Sequence, residues 1–397
     1  MLRLLMVTAL GAISPICFCL RAETVMVLPF FNHSKSANLD WIGESISESV
    51  HDSLRAEGLL VLDREDRLEG YRRLSLRSGV ELTRASIIKI GQTLDADSVL
   101  FGYYEIFADS DKEAAKGSVH IAAHLIDLKR LRQGSEFAEL GALADLATLE
   151  THLSWQAFRL LKRETQQSEM EFLRARPPVR MDAAESYVRG LLAQSADERH
   201  RFFTKAARLD AHYSQPCFQL GKAAWASKDY RIAAGWLARV DPSDPHYHEA
   251  QFLLGLCRYY SGDFAAAEQS FELVGAAVPL NEVYNNLGAA EARRNNAAAA
   301  ISSFQKALEG DSSDPDYHFN LGYAYWLSGK YDEAAASFRN TLDRNERDTE
   351  ATILLGRALM RDGPRPGETR LEARERIKTN YEETAYRQLQ AELESKK

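Results

Sequence analysis

The chain has 397 residues, 45% of them hydrophobic and 27% charged, with 11 prolines. That is enough apolar material for two or three folded domains, and it excludes a disordered chain. The formal net charge of -8 argues against a nucleic-acid partner, which would require a basic face.

Residues 1–22 have the form of an export signal. Arg3 supplies the positive start, residues 4–20 are apolar apart from Thr8, Ser14 and Pro15, and Ala22 is a small residue suited to cleavage. Retention as an anchor and lipidation at Cys17 or Cys19 stay open, although Ile16 and Phe18 are bulky where a lipobox has small residues. The expected location is therefore the periplasm or the cell envelope. Cys217 and Cys257, both inside helical patterns, read as small buried residues.

Residues 23–165 alternate strand and helix signals, as an α/β domain does. Residues 25–30 predict a buried strand, and Asn32 and Ser34 a turn. Asp40 is placed to cap a helix whose apolar stripe is Trp41, Ile42, Ile46, Val50 and Leu54. A short strand is expected at 59–62 and a helix at 82–94. Strands follow at 98–107, 118–128 and 135–140, then a helix over 144–161. Residues 166–182, charged and broken by Pro177 and Pro178, read as a linker.

Val27, Leu28, Pro29 and Phe30, followed by Asn32, Ser34 and the Trp41-Ile42-Gly43-Glu44 helix start, resemble the group of envelope domains that includes the TolB amino-terminal, FlgO and CsgG domains. Residues 94–102 and Leu125-Ile126-Asp127 resemble further landmarks of that group. The resemblance spans about 120 residues and implies a role in envelope assembly rather than catalysis. Taken as residues, Pro29 and Phe30 end a strand, Asn32 and Ser34 bond a turn, and Gly102 serves a bulge or close packing.

The second half repeats. Gly221, Gly255, Gly288, Gly322 and Gly356 fall at gaps of 34, 33, 34 and 34 residues, each preceded by leucine. Ala233, Ala267, Ala300 and Ala334 follow twelve residues after the first four, and Leu237, Phe271, Phe304 and Phe338 four further on. Gly262, Asn295 and Gly329 are expected to take left-handed turns. This pattern is strongly similar to the tetratricopeptide repeat (TPR), a helix-turn-helix unit that must stack to bury its apolar face. The expected fold is thus an α/β domain followed by an all-α TPR solenoid over 183–362, a right-handed superhelix. Four good units start near Ser214, His248, Asn281 and Pro315, with a degenerate one before them and a partial one from Thr349. Residues 363–397 read as a charged C-terminal capping helix, helical over 369–396, whose charges, such as Arg374 and Glu375, form a solvated face.

The resemblance implies a concave groove lined by the second, fifth, ninth and twelfth positions of each unit. Its partner-binding candidates are Phe218, Lys222, Trp225, Phe252, Tyr259, Phe319, Tyr323 and Trp326; Gln215, Glu249, Leu256, Glu282, Asn285, Ala289, Ala292 and Asp316 fill the remaining positions. Aromatics at both ends and a single basic residue, Lys222, suggest an apolar or aromatic peptide or helix rather than an acidic peptide terminus. The alternative is that these aromatics pack within the protein.

No phosphate loop, GxSxG or HExxH motif occurs, so no catalytic residue, cofactor or metal site is predicted. His246, His248 and Glu249 lack a fourth ligand at useful spacing, His120 and His124 share one strand face, and Asp95, Asp97 and Asp127 read as caps and turns. The expected function is a non-enzymatic scaffold that binds a protein or peptide. Two alternatives stand: an assembly or secretion accessory that oligomerises through the N-terminal domain, and an enzyme or regulatory subunit with its site in residues 24–160. Membrane association, through a retained signal or a partner, and oligomeric state are left open.

Overall fold

The computed structural model describes residues 23–34, 36–77, 79–107, 117–162, 165–364 and 375–394. The export signal expected at 1–22, and Arg374 with it, lie outside the described residues. No described helix is long and apolar enough to cross a membrane.

The N-terminal domain is a mixed sheet with helices on both faces. Its strands are β1 (Thr24–Val27), β2 (Phe31–Asn32), β3 (Leu60–Val61), β4 (Ser98–Phe107), β5 (Ser118–Asp127), β6 (Arg132–Gln133) and β7 (Phe137–Ala142). The order is β3-β1-β4-β5-β6, with β2 beside β4 and β7 beside β5; β1 runs parallel to β3 and β4, and β4–β5 is antiparallel. Alternation along β1 decides the layers. Val25 and Val27 face helices α1 (Trp41–Ala56) and α4 (Leu146–Leu161), while Met26 and Leu28 face α2 (Arg64–Arg73) and α3 (Arg84–Thr93).

The expected strand over 25–30 is broken between β1 and β2, where the Phe30 amide donates to the Gly43 carbonyl at 3.0 Å. A Cβ on Gly43 would sit 2.0 Å from the Phe30 oxygen, and one on Gly102 would meet the Ala122 oxygen and the Phe30 ring, so Gly102 serves close packing. Asp40 does not cap α1. Its carboxylate accepts from Asn32 at 2.7 Å, while Asn32 in turn accepts the Ser34 amide as the turn reading expected. Helix α2 escaped the sequence reading because only Arg67, Gly70 and Tyr71 of its ten residues are buried.

The region read as a linker is built into the body. It contains α5 (Glu169–Arg174), whose Phe172 is fully buried between Trp155 and Phe158, with the Arg176 guanidinium 3.8 Å over its ring. Helices α6 (Met181–Leu192) and α7 (Ala196–Leu209) form the degenerate unit. Then come α8 (Gln215–Ala226) with α9 (Tyr230–Leu237), α10 (Tyr247–Tyr260) with α11 (Phe264–Ala277), α12 (Asn281–Arg293) with α13 (Ala297–Gly310), and α14 (Pro315–Leu327) with α15 (Tyr331–Arg344). Helix α16 (Thr349–Leu359) opens the partial unit.

The repeat glycines do what their spacing implies. A Cβ on Gly221, Gly255, Gly288 or Gly322 would stand 2.6–2.9 Å from Leu237, Phe271, Phe304 or Phe338 of the paired helix. Gly356, in the unit without a described second helix, meets nothing. The turns at Gly262, Asn295 and Gly329 have φ of 83°, 62° and 72°; Lys228 holds the same place in the first good unit at 61°. Cys217 and Cys257 are buried and free.

One buried cluster runs from β1 through α1, α4 and α5 into the repeats as far as Ala324, so sheet and solenoid share a core. The expected C-terminal helix is shorter than its charge pattern implied. Among the described residues of this stretch, α17 (Glu383–Glu394) is helical and residues 375–382 are not.

Candidate peptide groove

The groove positions expected from the TPR resemblance are the second, fifth, ninth and twelfth of each unit's first helix. In the last two of the four good units Asn285 holds the fifth position of α12, and Asn286 and Asn320 the sixth positions of α12 and α14. All three are fully buried. Asparagine is a poor helix-interior residue because its amide competes for backbone bonds. Here each amide reaches across the groove to a main chain that lies in it, that of residues 375–381.

The contacts are paired. Asn320 Nδ2 donates to the Arg376 carbonyl at 2.9 Å, and the Arg376 amide donates back to Asn320 Oδ1 at 2.8 Å. Asn286 treats Lys378 in the same way, at 2.7 Å and 2.9 Å. Asn285 adds a bond to the Arg376 carbonyl at 2.8 Å and accepts from Asn320 at 2.8 Å. This ladder satisfies alternate main-chain groups of an extended segment, which otherwise would lose hydrogen bonds on burial.

Side chains of the segment enter sockets on either side. The Arg376 guanidinium stacks 3.6 Å over the Phe319 ring and bonds both oxygens of Asp348, at 2.6 and 2.8 Å, with Asp316 at 3.2 Å and Glu350 at 3.5 Å. Such a bidentate, stacked arginine is the strong form of the contact. Burial would raise the Asp348 carboxyl, but the Arg376 bonds and the Ala351 amide outweigh it and hold it below the usual range. Lys378 Nζ lies 2.7 Å from both Asp314 and Asp316 and 5.2 Å over Tyr317. Burial alone would lower its pKa; the two aspartates raise it. Glu375 accepts from Tyr259 at 2.9 Å and from Arg293 at 2.6 Å. Tyr381 packs on Phe252 with ring centroids 4.7 Å apart.

Glu375 thus corrects the expectation of a solvated charge run: it is 6% exposed. Charge patterning identifies a solvated face only when the segment is helical, and residues 375–382 are not.

The eight candidate groove residues divide. Phe252, Tyr259 and Phe319 touch the inserted segment directly. Tyr323 and Trp326 stack on each other at 5.9 Å; Trp326 Nε1 donates to the Asp362 carbonyl at 2.9 Å, and Arg357 covers its ring at 4.7 Å. Both are at most 2% exposed. Phe218 is buried under His246, stacked at 4.7 Å, and Lys222 reaches Glu249 at 3.3 Å. Trp225 packs with Tyr230 and Tyr260. Tyr325, half-exposed, accepts from Gln305 of the preceding unit at 3.1 Å.

Asn286, Asn320, Asp314, Asp348 and Arg293 were missed. The signal was available in part, since Asn286 and Asn320 both occupy the sixth position of their units.

The N-terminal end of the groove is closed by the sheet domain. Gln215 bonds Asp52, Arg189 donates to the Asn38 carbonyl at 3.0 Å, and Arg55 lies 3.6 Å from Glu383 of α17. A cavity of about 400 Å³ at this junction is lined by Glu48, Asp52, Glu150, Tyr187, Tyr213 and Gln215, among others. Burial raises Glu150 to about 8; burial, and then Glu44, raise Glu48 to about 7. Burial would lower His51, but Asp52 and Asp63 hold it at about 10. A further cavity of about 540 Å³ in the sheet domain is lined by Phe31, Arg64, Arg67, Tyr71, Glu81 and Tyr103, among others, and also by Glu44, which accepts from Arg64 at 2.6 Å and from Arg67. His246 bonds Asp244 and His124 lies 3.3 Å from Glu136. Asp97 accepts the Thr24 amide and Asp127 that of Arg130.

Residues 218–282, 258–315, 285–340 and 319–364 match a family profile described as tetratricopeptide repeat. No curated protein matches the chain significantly. Among solved structures, a MamA RS-1 double mutant is 25% identical over 43% of this chain and 98% of its own, at a TM-score of 0.38. MamA from Desulfovibrio magneticus RS-1 is 24% identical over 43% and 98%, also at 0.38. YrrB, titled a TPR protein with an unusual peptide-binding site, is 18% identical over 40% and 84%, at 0.36.

Proposed function

We propose that this TPR-containing chain is a non-enzymatic interaction scaffold of the cell envelope whose repeat groove holds an extended segment of a partner protein by its main chain. The observation that carries the reading is the pairing of Asn286 and Asn320 with both backbone groups of Lys378 and Arg376. A groove built only to be capped needs apolar contact. This one supplies donors and acceptors at alternate residues, which suits an extended peptide of another chain as well as its own. The envelope assignment rests on residues 1–22 and on the resemblance of residues 23–165 to envelope domains.

Crosslinking in envelope extract tests both parts. With a photocrosslinker at Glu282, at the groove rim, the chain should capture a partner, and Asn286→Ala with Asn320→Ala should abolish the capture. Capture unaffected by the asparagine changes would reject the groove. An intact mass that begins at Met1 in a cytoplasmic fraction would reject the location.

A further inference from the structure

We infer that the partner segment is basic, with an arginine and a lysine two residues apart in an extended stretch and an aromatic three residues beyond, and that residues 375–381 are an internal copy of it which the partner displaces. The inference rests on the groove reading above and adds to it the side-chain chemistry.

Four carboxylates surround the two central sockets: Asp316, Asp348 and Glu350 near Arg376, and Asp314 with Asp316 at Lys378. The Phe319 and Tyr317 rings supply the faces on which the two cations lie. Two i, i+2 cations project to one side of an extended chain, and the intervening Ile377 turns to the shared apolar core. Phe252 provides the aromatic floor for a tyrosine three residues after the lysine. An apolar helix, the ligand expected from the groove aromatics, would bury these acids without partners, which is costly.

Displacement is physically reasonable because the sockets are polar. When the segment leaves, Asp314, Asp316 and Asp348 return to water, and the apolar contacts given up are those of Ile377 and Tyr381 with the shared core and those at Phe252, Tyr317 and Phe319. Arg376 and Lys378 are themselves only half-buried, so a competing segment has a route in by exchange of one ion pair at a time.

The test uses the full chain and a fluorescein-labelled peptide with the sequence of residues 375–382, its affinity read by anisotropy. The chain carrying Arg376→Ala and Lys378→Ala, with its own segment weakened, should bind this peptide at least about tenfold more tightly than the unmodified chain. A control peptide with alanine in place of the arginine and lysine should bind at least about tenfold more weakly, and affinity should fall as salt rises. Equal binding of the two peptides would overturn the basic specificity and leave the main-chain groove standing. Undiminished binding to a chain that also carries Asn286→Ala and Asn320→Ala would overturn the groove itself. Equal affinity for the unmodified and the Arg376→Ala, Lys378→Ala chains would overturn displacement, as would a dimer that these two substitutions dissolve, since the segment would then be exchanged between copies. If the double substitution unfolds the protein, Lys378→Ala alone is used with the same expected direction.

Discussion

The carboxamide of Asn320 is bonded to both main-chain groups of Arg376, at 2.8 and 2.9 Å, although 56 residues separate them. Removing it leaves a buried amide and carbonyl without one of their partners. Asn320→Ala is expected to destabilise the chain by about 1–3 kcal/mol, the range for a buried unsatisfied group. It should also accelerate amide exchange at Arg376 and Lys378 more than in α13. Hydrogen exchange read by mass spectrometry checks this; unchanged protection at Arg376 would mean that Asn320 does not hold the segment.

Trp326 and Tyr323 pack on each other within the framework of their unit. With exposures of 1% and 2%, Trp326→Ala should cost about 3–5 kcal/mol, the usual range for a core aromatic. Guanidinium unfolding measures it. Leu321, 8% exposed, is expected to cost about 2–5 kcal/mol as alanine; a loss under roughly 0.5 kcal/mol, a surface value, would mean the helix is rotated from the position described.

Lys228 takes the left-handed turn that Gly262 and Gly329 take in later units. Its side chain makes the conformation costly without evident gain. Lys228→Gly should stabilise the chain by about 1 kcal/mol. Thermal unfolding of the two forms decides it, and a lower Tm would show that the lysine side chain contributes more than the turn costs.

Glu150 supplies a pH dependence with a definite sign. Its folded value is raised to about 8, so the stability linked to its neutral form is complete below its unfolded value near 4.5 and is lost as pH rises towards 8. Glu48, raised to about 7, and His51, raised to about 10, add slopes of the same sign at overlapping and higher pH. Glu150→Gln should leave stability at pH 4.5 nearly unchanged and increase it at pH 8 by about 1–3 kcal/mol. Urea unfolding at the two pH values tests this, and a gain that is equal at both would assign the effect to packing.

The repeat architecture was legible because each of its rules acts over short chain distances. A glycine needs its Phe or Leu sixteen residues on, and Gly255 with Phe271 or Gly288 with Phe304 can be read as pairs without knowing anything else of the fold. The strands β4 and β5 were equally plain, being long and alternating. Helix α2 was not, since the face it buries carries Arg67, Gly70 and Tyr71 and so is no apolar stripe, nor was α5, where one phenylalanine in a charged stretch does all the anchoring.

What the sequence determined by itself is the α/β domain and the register of the TPR units, for these follow from periodicity and from the sizes of neighbouring side chains. What only the tertiary structure decided is the content of the groove. Residues 375–381 carry charges that look solvated in isolation, and Asn285, Asn286 and Asn320 look like poor helix residues. Their partnership appears only when stacking of the units brings two helices side by side and the chain returns 91 residues later to lay its backbone between them. No local preference encodes that contact, because the hydrogen bonds that stabilise it exist only after the groove has formed.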